Sequence, residues 1–476
     1  MNIYNRYGLI VIISLISLTS CESDSAIPVD DSEVIIIKDI PGYSIILGMP
    51  EDNSMMISAL FDADTEVLWE YGTDSMNYNL QTGAFDVKKD IPLEVVMTNL
   101  VPNTRYFYRT KYRQGASGTS FRASPSYSFH TKRTPGETFT FTVESDEHLY
   151  DKKGVRSIYQ LCLDNQAADN PDFMISLGDI FGNDHFPYDI TSKEIDYLHE
   201  QYRPYLGSIC HSIPLFICLG NHEGENDFYM NQNPPDNLAI NGTLARKKYF
   251  PNPYPDGFYS GNSANESYGI GHPENYYAWT WGDALFVVLD VYRYQSQSTS
   301  KPGGWDWTIG TDQYNWLKST LENCNSKYKL VFAHHISGQG RGGKTLAQFF
   351  EWGGYEQDGI TYGFPVKRPG LEKPIHRLFV DNKVNIFFQG HDHVFAHEVL
   401  DGVTYQTVPM PSDSTYQIGI LANGNAFTSD VVEGTGHLRV AVTASGIKVD
   451  FVQASLPADE NGESKNRQVA FSYTVQ

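Results

Sequence analysis

Residues 384–393 read VNIFFQGHDH, an apolar run of strand length, Val384 to Phe388, that leads into Gly390, His391, Asp392 and His393. Four other stretches are built the same way. Phe139 to Val143 runs into Asp146 and His148, and Phe173 to Leu177 into Gly178 and Asp179. Leu215 to Leu219 leads to Gly220, Asn221, His222 and Glu223, and Leu330 to Ala333 to His334 and His335. Between these runs lie segments of helical period, Val155 to Asn165 and Asp312 to Cys324, with Ile158, Tyr159 and Cys162 on one apolar face and Tyr314, Leu317 and Leu321 on the other. Apolar strands alternating with helices from residue 137 onward predict an α/β layered fold. Ligands in such folds bind outside the carboxyl ends of the strands, so the five strand-end motifs are expected to meet in one crevice.

Upstream the texture differs. Residues 34–133 show short alternating segments between turn residues, the pattern of a small antiparallel sandwich. Val67, Trp69 and Tyr71 alternate along one such strand, and LVPNTRYFYR, residues 100–109, resembles the tyrosine corner of fibronectin-III-like domains. The Thr131 to Gly136 stretch reads as a linker into a second domain spanning 137–455. Near its end, Leu438 to Val442 and Ile447 to Val452 predict a hairpin, and 456–476 is a polar tail that can add an edge strand at Val469 to Val475. The Gly-, Asn-, Tyr- and Trp-rich segments 224–280 and 337–372 show no period and read as long loops.

Residues 1–20 carry Arg6 followed by an apolar stretch, Leu9 to Leu18, which reads as an export signal too short to span a membrane. The run ends in Leu18, Thr19, Ser20 and Cys21, a tetrad that resembles the lipobox of bacterial lipoproteins. That resemblance implies cleavage before a lipidated Cys21, a flexible tether over 21–33, and an exported protein anchored to the membrane, in the periplasm or at the outer-membrane surface. Cys162, Cys210, Cys218 and Cys324 follow. They allow two disulfides in any of three pairings, or buried free thiols. With 57 acidic against 35 basic residues the formal net charge is −22, which disfavours nucleic acid as a partner because phosphates would be repelled. Oligomeric state is not legible.

Taken in order, the DEH, GD, GNHE, HH and GHDH blocks closely resemble the signature of calcineurin-like metallophosphoesterases over residues 139–395. The resemblance implies a β-sandwich flanked by helices and two metal ions per chain. One ion would be held by Asp146, His148, Asp179 and His393, the other by Asp179, Asn221, His334 and His391, with Asp179 bridging. Carboxylate, amide oxygen and imidazole together suit Fe, Mn or Zn. Such a pair activates a bridging hydroxide to attack phosphorus and absorbs the charge that develops on the transferring group. His222 would face the phosphoryl group as the catalytic histidine, with Glu223 able to orient it. His335, beside a ligand but on the opposite face of the strand, and Arg341, in the GQGRGG loop, are candidate substrate contacts.

A sandwich placed before this domain looks like the layout of purple acid phosphatases. Those carry a tyrosine ligand three residues after the GD aspartate, where this chain has Gly182, so a ferric tyrosinate is not expected there. The expected activity is hydrolysis of a small phosphate ester, foremost as an acid-phosphatase-like phosphomonoesterase. Two alternatives stay open: a phosphodiesterase or nucleotidase using the same site, and a surface lipoprotein whose sandwich binds glycan or protein. All seven ligand positions hold competent residues, which argues against a vestigial site.

Overall fold

The computed structural model describes residues 42–114, 120–185, 191–230, 232–295, 303–336, 340–462 and 464–476. The expected export signal, Cys21 and the tether lie outside them. Tyr43–Gly48, Met55–Phe61 and Leu93–Met97 form one antiparallel sheet of an N-terminal β domain. The facing sheet is built on Thr65–Gly72 and Arg105–Gln114, flanked by four shorter strands. Along Thr65–Gly72, Val67, Trp69 and Tyr71 are buried while Glu66, Leu68 and Glu70 are half-exposed, the two-residue period of a strand with one face on a core. On the other face Glu66 and Glu70 stand opposite Arg113 and Arg109 in register and pair with them. The Val101 N–H donates to the Tyr106 hydroxyl at 3.0 Å, which closes a tyrosine corner where the sequence suggests one.

Two more sheets follow. A six-stranded sheet runs in the order Leu215–Ile217, Phe173–Ser176, Phe139–Glu144, Gly436–Thr443, Gly446–Gln453 and Val469–Val475. The last three are the expected hairpin and the edge strand. An eight-stranded sheet has Ala284–Val288, Tyr328–Phe332, Ile386–Gln389 and Val403–Thr407 as parallel neighbours at its centre. Their inner faces share one core, in which Phe141, Phe173, Phe286, Phe332 and Phe388 interdigitate. Helices Arg156–Ala168 and Ser192–Cys210 cover the outer face of the first sheet, and Thr311–Glu322 and Ile375–Asp381 that of the second. The molecule therefore has the α/β layering that the strand and helix pattern predicts, in the form of the helix-flanked β-sandwich that the resemblance implies.

One long segment differs from expectation. Within 224–280 lies a 12-residue helix, Leu238–Tyr249, capped by the Asn237 side chain accepting from the Ile240 N–H at 2.9 Å. Its apolar stripe is illegible because polar residues on it are also buried. Arg246 and Thr243 pair with Glu225, itself buried, and Asn241 bonds Asp236. A period count reads such positions as solvent-facing.

The β domain and the larger domain are joined by groups that have left water. Arg203, 1% exposed on helix Ser192–Cys210, donates to the side chains and carbonyls of both Ser44 and Ser58 in the β domain, and to the Tyr249 carbonyl. Burial lowers its guanidinium to about 9. The Tyr108 hydroxyl also crosses, donating to the His211 carbonyl at 2.5 Å. Cys162, Cys210, Cys218 and Cys324 are all free thiols. Among the described residues no helix is long and apolar enough to cross a membrane.

Candidate metal centre

Each of the five blocks begins where a strand ends. Phe139–Glu144, Phe173–Ser176 and Leu215–Ile217 are parallel neighbours in one sheet, and Tyr328–Phe332 and Ile386–Gln389 in the other. Their loops converge. Asp146, His148 and His393 bring one ligand atom each within 4.8 Å of one another, as do Asp179, His334 and His391. A third such group, His148, Asp179 and His222, interlocks the two. Across them, His334 Nε2 lies 3.2 Å from Asp179 Oδ2 and 3.8 Å from Asp146 Oδ1.

The backbone there is unusual. Asp146, His148, Asp179, His391 and His393 all have positive φ, between 46° and 69°. Non-glycine residues in this region cost of order 1–3 kcal/mol each and persist where the surrounding structure enforces them. The glycines of the blocks serve the same crowding. A Cβ on Gly178 would fall 2.3 Å from the Gly220 amide nitrogen, and one on Gly390 1.9 Å from Ser145 Oγ, so only glycine lets these loops pass.

Polar neighbours fix the ligand side chains. The Leu177 carbonyl accepts from His334 Nδ1 at 2.8 Å, which leaves Nε2 as the donor atom facing Asp179. Asp151 lies 3.2 Å from His148 Nδ1 and has the same effect on that ring. Asp146 accepts the His391 N–H at 2.7 Å, and Asp179 the His222 N–H at 2.8 Å. Glu223 holds the loop of Asp179, accepting from the amides of Asp179 at 3.0 Å, Ile180 at 2.6 Å and Gly220. It does not orient His222. That task falls to Asp184, whose Oδ1 lies 2.7 Å from His222 Nδ1. Sequence reading passed over Asp184 because it sits in a short turn, Asn183–His185, outside the motif blocks.

These residues fit a metal. Asp146 Oδ1, His334 Nε2 and His393 Nδ1 are buried with no hydrogen-bond partner. Two imidazole nitrogens, His148 Nε2 and His393 Nε2, face each other at 3.0 Å beside Asp146 Oδ1. The carboxylates also lack balancing charge. Burial lowers His334, yet Asp179 and Asp146 overcome it and raise its imidazole to about 10. Burial likewise lowers His222, and Asp179 and Asp184 raise it to about 9. The carboxylates thus favour positive charge at these two rings, while burial lowers the imidazoles of His148 and His391.

Asn221 stands at the rim of a cavity of about 540 Å3, beside His391 and His335. His335 is buried, its ring centroid 4.5 Å from that of His391, and burial lowers its imidazole to about 3. Arg341 places its guanidinium on the His391 carbonyl and 3.5 Å from Asp392, bracing the GHDH loop. Over Gly182, any side chain would collide with the ring of Tyr150, whose hydroxyl is 2.9 Å from His148 Nδ1. The histidines outside the blocks have other partners: His376 bonds Tyr405 and Asp401, His397 Asp430 and His437 Asp169.

Strand-end carboxylates and imidazoles gathered at one edge of a helix-flanked β-sandwich define a metal-dependent phosphoesterase. The sequence accordingly matches the model of the calcineurin-like phosphoesterase family over residues 139–395, and the chain belongs to that family. No curated protein matches the whole sequence significantly. Among solved structures, PhoD aligns at 17% identity over 87% of this chain and 87% of its own, with a TM-score of 0.60. The purple acid phosphatase PPD1 from yellow lupin (Lupinus luteus) seeds aligns at 14% identity over 90% of this chain and 73% of its own, also at 0.60. At such identities the likeness is one of fold, an N-terminal β domain ahead of the phosphoesterase domain.

Proposed function

We propose that the chain is a dinuclear phosphatase that hydrolyses small phosphomonoesters, with Asp146, His148, Asp179 and His393 around one ion and Asp179, Asn221, His334 and His391 around the other. The observation that carries this reading is the interlocking of the three ligand groups through His148 and Asp179, with a hydrogen-bonded His222–Asp184 pair alongside. Ions held there supply Lewis acidity toward the phosphoryl oxygens and make water nucleophilic near neutral pH. Asp179 is the carboxylate that both ions would share. His222 presents Nε2, 3.7 Å from Asp179 Oδ2, toward the same space, and donates its proton from there to the departing oxygen. Asp184 holds the other nitrogen and keeps the ring charged.

Elemental analysis coupled to hydrolysis of a monoester and its matched diester tests the proposal. Two equivalents of metal and a preference for the monoester support it. One equivalent, or a preference for the diester, rules it out.

Asp184 also predicts a pH effect. Its carboxylate favours the imidazolium, so Asp184→Asn lowers the pKa of His222 and moves the alkaline limb of kcat/KM to lower pH. An unmoved limb in a metal-loaded variant removes His222 as the acid. We further propose that the mature protein is anchored through a lipidated Cys21. Mass spectrometry of the membrane fraction is expected to find the diacylated N-terminal cysteine, and an unmodified Cys21 in a soluble form would contradict it.

A further inference from the structure

The cavity beside Asn221 and His391 has walls that the phosphoryl chemistry does not need. Tyr292, Trp307, Phe350, Phe228 and Tyr229 enclose it with aromatic surface. Tyr292 and Trp307 stand edge to face at 5.6 Å between centroids, and Tyr292 lies 5.9 Å from the His334 ring, so the aromatic wall begins next to the ligand group. The opposing ring, Phe350, sits on a backbone at φ 50°, a conformation costly for an aromatic residue, and Gly304 leaves room for it. Three amide side chains, Asn226, Gln295 and Gln357, are set among these rings. Among the described lining residues Asp184 is the one carboxylate, and neither lysine nor arginine occurs. A volume of about 540 Å3 falls within the ~300–1,000 Å3 usual for sites that engulf a small organic ligand.

From these walls we infer that the cavity seats the leaving group of the ester, and that this group is a nucleoside: a flat, uncharged ring for stacking, whose donor and acceptor edges suit the amides. The inference rests on the phosphoesterase reading above and adds the substrate class. A leaving group carrying further phosphates or carboxylates would meet Asp184 and find neither lysine nor arginine among the described lining residues. Trp307 and Tyr292 are then specificity residues, touching the base and not the phosphorus.

Adenosine 5′-monophosphate and glycerol 3-phosphate provide the test, because both are primary alkyl phosphates and differ little in leaving-group reactivity. Each is assayed with its methyl diester, so that either ester preference of the enzyme is covered. The nucleotide is expected to be favoured about 5- to 100-fold in kcat/KM, mostly through KM, the range of one base–aromatic stack. Trp307→Ala should lower kcat/KM at least five-fold more for the nucleotide than for the glycerol ester, and Trp307→Phe should restore most of the preference. Adenosine 3′,5′-bisphosphate should lose its 5′-phosphate more slowly than the monophosphate. If Trp307→Ala does not fold, Phe350→Ala reads the same difference. Equal kcat/KM for the two esters, equal losses in the variants, or a faster bisphosphate overturns the inference while the phosphoesterase reading stands. Failure to hydrolyse any of these esters overturns both.

Discussion

Asp179→Asn is expected to empty both metal positions at once and to take hydrolysis with them. The carboxylate belongs to two of the three ligand groups, and it accepts the His222 N–H, so one substitution removes a shared negative charge and disturbs the catalytic histidine's loop. Burial raises the Asp179 carboxyl, yet His222 and His334 hold it well below the usual carboxylate range. Losing an outer-shell partner typically weakens metal affinity ~10–100-fold, and loss of the bridging carboxylate should exceed that at both positions. Elemental analysis against the parent reads the result, with His391→Ala as the control that weakens mainly one position. Full metal content in the Asp179 variant would refute the bridge.

His222→Ala should behave in the opposite sense, retaining metal while losing turnover. Asp184 holds its ring at Nδ1, and one positioned acid contributes ~100- to 10,000-fold. Turnover of an alkyl phosphate should fall within that range, and that of an activated aryl phosphate less, because its leaving oxygen needs little protonation. Equal losses on both esters would mark an electrostatic contact in place of an acid. Loss of an ion would make His222 a ligand, a reading its proximity to His148 and Asp179 makes worth testing.

The parts of this site that could be read from sequence are those whose chemistry is local. A strand followed at once by ligand side chains is visible in a few residues, and the five such runs predicted both the layers and the crevice. What remained hidden depends on backbone angles and on contacts between distant segments. Nothing in the letters of Asp146 or His391 announces a left-handed backbone, although the adjoining glycines hint at crowding. Glu223 adjoins His222 in sequence, yet its carboxylate points back to the amides of the GD turn, and Asp184 arrives from 38 residues upstream. The aromatic cavity draws its rings from separate stretches of chain, at Phe228 and Tyr229, at Tyr292, at Trp307 and at Phe350. Helix Leu238–Tyr249 escaped because its buried face is held by ion pairs and amides, which a hydrophobic pattern cannot register.

Arg203 bears on how such a protein changes over evolutionary time. Its buried guanidinium takes its partners from Ser44 and Ser58 on one side of the domain boundary and Tyr249 on the other. A recombination event that exchanged the β domain for an unrelated one would leave a buried cation without its acceptors, a loss of ~3–5 kcal/mol on the scale of broken buried pairs. The two domains are thus inherited as one unit. Shuffling becomes viable only after position 203 has turned apolar, so lineages that retain this arginine should retain the paired serines.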